Sequence, residues 1–199
     1  MSLSHVTTAT GRQALVAIKT LVVMTLVLGV VYPLVVWAIA QVVAPGRADG
    51  QIVESGGRLV GSAIIGQDFP VEDDQWFHGR PSANDYDGLA SAPSNLGPSS
   101  PDLIAAIEER RAAIAEVEGV DPADVPPDAL TGSASGLDPY VSPAYAAIQV
   151  ARVADARGLS EAAVREAVEE HTSGRSFGFL GEPKVDVLLL NLALESGAH

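Results

Sequence analysis

From Thr20 to Ala44 the chain runs 25 residues, TLVVMTLVLGVVYPLVVWAIAQVVA, without one charged side chain. A helix of that length rises about 37 Å, more than the roughly 30 Å of hydrocarbon in a bilayer. The run therefore reads as a membrane span. Pro33 removes one backbone donor inside it, a defect that neighbouring helices or a local rearrangement of the backbone must absorb. Tyr32 and Trp37 are rings of the interfacial type but lie well inside the run, so with Pro33 they are candidate contacts to a partner. The competing reading is a cleaved export signal, because Ala38-Ile39-Ala40 has the small-x-small form; the apolar run, however, far exceeds the 7 to 15 residues of such a segment.

Charge sets the expected orientation. Residues 1–19 hold Arg12 and Lys19 and no acid, whereas the sequence after Ala44 holds the other ten of the 12 Lys and Arg together with all 25 Asp and Glu. The short basic end is expected to stay cytoplasmic, with the remainder outside. The expected architecture is thus a cytoplasmic N-terminus (1–19), a single N-terminal transmembrane helix (20–44) and one extracytoplasmic α/β (α+β) domain (45–199). That domain carries −15, which repels nucleic acid and favours cations. The absence of cysteine excludes disulfides and thiolate chemistry.

Within the domain, PGRADG is an exit loop, and two β-branched runs flanking Ser55-Gly56-Gly57 predict a hairpin whose strands are buried on a partner layer. Residues 75–101 are rich in Gly, Pro, Ser, Asn and Asp yet contain Trp76, Phe77, His78, Arg80, Asn84, Asp85 and Tyr86 in close succession, the mark of an ordered loop that touches something. Pro101 and Gly119 bracket a helix with Leu103, Ile107, Ile114 and Val117 on one stripe. The next segment, to Pro143, has five prolines in DPADVPPDALTGSASGLDPYVSP and reads as loop. Ser142 caps a second helix that stops at Gly158, and Ser160 opens a third with Val164, Ala167 and Val168 inward. Residues 184–195 satisfy both periods; Val187, Leu190 and Leu194 favour a helix capped by Asp186, and a buried strand stays open.

No familiar catalytic motif emerges. The four histidines lack metal-site spacing, and GSASG centres on Ala134 where a nucleophile elbow needs serine. Neither a phosphate-binding loop nor a dinucleotide fingerprint is present. Arg80 is expected to pin its loop through Asp85 or Asp87, with contact to a partner carboxylate as the alternative. His78 is expected to hydrogen-bond rather than act as a base, since no nucleophile adjoins it. The Ser91, Ser94, Asn95, Ser99 and Ser100 cluster reads as turn-forming.

Five blocks carry a resemblance: FHGRPSANDY (77–86), SNLGPSSPDL (94–103), SASGLDPYVSP (133–143), QVARVADARGLS (149–160) and FLGEPKVDVLLLNLAL (179–194). Together and in order, they resemble the C subunit of the Kdp potassium-transporting ATPase, from the span to about Leu194. Two departures stand out: Ala92-Pro93 where the family more often has Gly-Gly, and Tyr140 where it commonly has His. The resemblance implies a non-catalytic accessory subunit in a cell membrane, needed for assembly and activity of an ATP-driven potassium uptake complex. The implied partners are a channel-like potassium-binding subunit and a P-type subunit that hydrolyses ATP. The chain itself has neither DKTGT nor a TVGYG-like filter. No cofactor is expected to bind here; ATP acts at the partner, whose affinity for it the family is said to raise as a catalytic chaperone. Gln149 matches a glutamine the family associates with nucleotide contact, although an extracytoplasmic Gln149 could not meet cytosolic ATP. Phe77, His78, Arg80 and Asn95 fall in the matching blocks and are partner-contact candidates. The alternatives are a membrane-anchored enzyme using His78, Asp85 and Asp87, or a small-ligand-binding module built on the Ser- and Asn-rich loops.

Overall fold

The computed structural model describes residues 3–197, and the chain divides into two compact units, Met1–Gln51 and Ile52–His199. The first is nearly all helix. α1 (Leu3–Leu26) passes through a π-helical turn (Val27–Val31) into α2 (Tyr32–Val43), and Ala44 leaves helical geometry at φ −152°. Thr10–Val43 is long and apolar enough to cross a membrane, and its apolar side chains point outward all around, as lipid-facing helices require. The helix also continues unbroken in chain direction through Arg12 and Lys19, so the sequence boundary at Thr20 is not a helix boundary.

The π-helical turn solves the Pro33 problem locally. Pro33 has no N–H to offer the preceding turn, and the Tyr32 N–H reaches back five residues to the Val27 carbonyl. The backbone widens for one turn before the proline ring arrives. Beyond Ala44, the expected exit loop is instead one helical turn, α3 (Pro45–Ala48), with Gln41 Nε2 donating to Asp49 Oδ1 at 2.8 Å.

The second unit is a mixed helix/strand domain. β1 (Ile52–Ser55) and β2 (Arg58–Ser62) form the predicted antiparallel hairpin, with Gly56 and Gly57 both at positive φ in the two-residue turn. The expectation of buried strands fails: Ile52 and Leu59 are exposed, because charged Glu54 and Arg58 leave neither face continuously apolar. A second antiparallel sheet has the order β3 (Tyr140–Val141), β5 (Lys184–Asp186), β4 (Thr172–Ser173).

Five helices complete the unit among the described residues, and two of them, 143–157 and 187–196, pack on the central strand of this sheet. α4 (Pro101–Glu118) ends at left-handed Gly119. Of its predicted stripe, Leu103, Ile107 and Ile114 are half-buried, the two isoleucines against the core, while Val117 is exposed and Ala115 and Glu118 are buried instead; a carboxylate can occupy the inner face here because Arg152 meets it. The proline-rich segment after it contains a 3-10 turn (Pro122–Asp124) and a single-turn helix, α5 (Pro127–Leu130), rather than loop throughout. Proline at the first helical position supports both.

α6 (Pro143–Arg157) starts as predicted, with Ser142 Oγ accepting from Tyr145 N, and Ser142 is held by both oxygens of Asp128. It stops in a left-handed Gly158, with Leu159 N–H returning to Ala154 O. α7 (Glu161–Glu170) buries Val164, Ala167 and Val168. Residues 184–196 resolve the double periodicity by using both: β5 first, then α8 (Val187–Ser196), whose first turn Asp186 caps at Leu189 N. The core joins these elements through Val150, Val153, Val164, Val185 and Leu190.

Candidate functional site

The segment Asp73–Tyr86 has no regular secondary structure, yet it is the most heavily tethered part of the domain. At its start the Trp76 indole donates to Asp73 Oδ2 at 3.0 Å and packs on Phe69, ring centroids 5.8 Å apart. The Arg157 guanidinium covers the same indole at 4.7 Å, while its Nε donates to Gln75 O. Hydrogen bonds from Gln75 and Trp76 outweigh the opposing effect of desolvation and hold the Asp73 carboxyl below its ordinary range.

Two carboxamides then take the place of a neighbouring strand. Asn191, on α8, accepts from Phe77 N at 2.8 Å and donates to Phe77 O at 3.0 Å. Gln149, on α6, accepts from His78 N at 2.7 Å and donates to His78 O at 3.3 Å. Each amide satisfies both backbone groups of one residue, as paired residues of adjacent strands do. The Phe77 ring fills the core with no exposed surface. Gln149 is likewise fully buried, with both amide atoms committed to this segment.

Arg152, one helical turn after Gln149, joins the pieces. Its Nε donates to Glu118 Oε2 at 2.9 Å, Nη1 to the carbonyls of Asp74 and Trp76, and Nη2 to Gln149 Oε1. Burial pushes the Glu118 carboxyl up, an effect that Arg152 partly offsets. Arg152 Nη2 also lies 3.4 Å from His78 Nδ1. Burial, then the Arg152 charge, lower His78 to about 4, so its imidazole is neutral at ordinary pH. A histidine so depressed is a poor general base near neutrality. Its Nε2 finds no hydrogen-bond partner among the described residues.

A cleft of about 300 Å³ lies between this segment and α4, lined among others by Phe69, His78, Arg80, Tyr86, Arg110 and Tyr145. Arg80 does not pair with Asp85 or Asp87 as expected. Its Nη1 meets Asp138 Oδ2 at 3.1 Å and its Nη2 donates to Thr131 O, while Asp87 is used to cap Leu89 N. Asp85 and Tyr86 are both left-handed, at φ 51° and 55°, and the Ser82 hydroxyl receives Tyr86 N in that turn. The Tyr86 hydroxyl donates to Arg80 O, and burial pushes it up to about 12. Gly136 closes the arrangement at φ 70°: a Cβ there would collide with Asn84 Oδ1 and lie 2.9 Å from Ala92 O. The GSASG stretch is thus a close approach of two loops.

Of the sequence candidates, Phe77, His78, Arg80 and Gln149 come together around one segment. Asn95 is exposed in a left-handed turn at φ 57°, and Pro33 and Trp37 are exposed on the apolar helix of the other unit. Arg152, Glu118 and Asn191 were missed. Two had a signal: Asn191 interrupts the apolar run LLLNLAL on the buried side, and Arg152 follows Gln149 by three positions on a helix. No metal-holding cluster occurs among the described residues.

The family model of the K+-transporting ATPase c chain matches residues 14–196. The chain belongs to this c-chain family. Among its relatives, the potassium-transporting ATPase KdpC subunit of Kineococcus radiotolerans is 60% identical over 189 residues, covering 94% of this chain and 95% of the relative. The KdpC subunit of Sorangium cellulosum is 52% identical over 182 residues, and that of Methylococcus capsulatus 48% over 183, each covering 90% of this chain and 95% of the relative. The match includes both the apolar helix and the domain with its tethered segment. Membership makes the chain a potassium-transport subunit of an ATPase complex, associated with the membrane.

Proposed function

We propose that this c-chain family member is a non-catalytic accessory subunit that holds a high-affinity potassium transporter together. Its apolar helix packs against the larger membrane subunits, and its domain lies outside the cytosol. The observation that carries the reading is the family match over 183 residues, spanning helix and domain alike. Basic Arg12 and Lys19 in the helix ahead of its uncharged run, 20–44, and a domain of −15 after it support the orientation. The partners are then the channel-like potassium-binding subunit and the P-type subunit that hydrolyses ATP.

In this reading Gln149 is a positioning residue. Its amide is spent on His78 and Arg152, so an influence on ATP affinity at the hydrolysing subunit would pass through the span or the intervening subunits. The acidic domain concentrates potassium near the entrance of the channel-like subunit. Detergent pull-down of the tagged chain tests the assembly role: both large subunits travel with it, and their absence rejects the reading. For orientation, Leu89, 99% exposed, is the position to label; Val150, at 1%, is not. In a chain lacking cysteine, Leu89→Cys reacts with an impermeant maleimide from outside the cell, and reaction only after the cytosolic face is opened reverses the topology.

A further inference from the structure

Between β4 and β5 the chain makes a closed knuckle whose tip is bare aromatic surface. Ser176 and Leu180 exchange two backbone hydrogen bonds of 2.9 Å, and Gly178 N and Phe179 N return to Arg175 O and Ser176 O. Arg175 and Glu182 pair across the base at 2.6 Å. At the tip, Phe177 is 88% exposed and Phe179 70%, with Leu180 beside them. These are two of the chain's four phenylalanines. Phe177 also sits in the left-handed region at φ 54°, a conformation a bulky side chain rarely adopts, followed by Gly178 at 81°.

We propose that the Phe177–Leu180 knuckle inserts into an uncharged apolar recess of another protein subunit of the transporter, an inference that rests on the assembly role above. The charge pattern selects this occupant. Arg175 is matched by Glu182, so residues 175–182 carry no net charge in a domain that is otherwise strongly acidic. Aromatic anchors set in a desolvated pocket are what dominate protein interfaces. The hydrogen-bonded ring of backbone keeps the ordering cost of docking low, an advantage for a shaped protein recess that a fluid lipid surface does not require. A bilayer with anionic headgroups would in addition repel the domain's −15.

The test uses the whole complex, isolated through a tag on the hydrolysing subunit. With the double variant Phe177→Ser, Phe179→Ser, the amount of this chain retained after detergent washing falls at least ten-fold, while its thermal midpoint is unchanged because both rings are exposed. Undiminished retention overturns the proposal. In a second arm, photoreactive benzoyl-phenylalanine replaces Phe177 in membranes: an adduct with a transporter subunit is expected, and an adduct with lipid only, with a second copy only, or none at all overturns it. If the unmodified chain does not travel with the hydrolysing subunit, the assembly role itself fails and takes the knuckle with it. If it does travel and neither arm responds, only the knuckle proposal fails.

Discussion

Trp76-Phe77 and Phe177-Gly178-Phe179 both lie outside the helices and strands, yet Phe77 has no exposed surface and Phe177 is almost wholly exposed. The rings are chemically identical. What separates them is the polar side chains the rest of the fold supplies. Burying a loop requires partners for its N–H and C=O groups, and Asn191, Gln149 and Arg152 provide them around Phe77 and His78. The knuckle's backbone satisfies itself locally through Ser176 and Leu180, so nothing draws it inward.

The most direct way to break this comparison is the same truncation at both sites. Phe77→Ala should cost about 4 kcal/mol, because it empties a filled core position. Phe177→Ala should change stability by no more than about 0.5 kcal/mol. Denaturant unfolding of the full chain in detergent reads both, and equal losses would erase the distinction between the loops. Next in size is Asn191→Leu, which keeps the branched outline of the side chain but strands the N–H and C=O of Phe77; a loss of about 3 kcal/mol is expected. A loss under about 1 kcal/mol would mean that water or a backbone shift can replace the amide.

Acid sharpens the contrast in another way. His78 is depressed to about 4 in the folded chain, so the unfolded chain binds its proton first as pH falls below the ordinary 6.5. Its contribution is intact above 6.5 and declines toward about 4, by as much as about 3 kcal/mol in all. Burial raises Glu118 and Asp186, which push the opposite way, losing stability as pH rises through their range. Comparison with His78→Gln therefore isolates the histidine: the gap between the two unfolding curves should narrow as pH falls from 6.5 to 4. A gap independent of pH would show that His78 is not held neutral by the fold.

Smallest in energy is Phe177→Asn. Asparagine tolerates the left-handed region, so the domain should gain about 0.5 kcal/mol. The same variant should be retained poorly by the complex. More stable and less well assembled is a combination that a purely structural Phe177 could not produce.

Much of this was legible in sequence because the signals were local. Ser142, Ser160 and Asp186 cap the helices they were expected to cap, and Gly119 and Gly158 end theirs. The apolar run and its breadth needed only composition. Long-range pairing was not legible: Asp138 is 58 residues from Arg80, and nothing local favours it over Asp85 or Asp87. Burial of Glu118 was hidden for the same reason, since its partner lies 34 residues on. The hairpin was placed correctly and its burial misjudged, because β-branched residues report strand geometry more reliably than they report which faces are covered.

The π-helical turn at Val27–Val31 also has a consequence for neighbours of the span. One surplus residue, compared with an uninterrupted α-helix, rotates everything beyond it by about 100° about the axis. The face bearing Trp37 is therefore out of phase with the surface that precedes the turn. A single rod can in this way face two different helices at two depths, and deleting one residue between Val27 and Val31 would swing one face away while leaving its composition untouched.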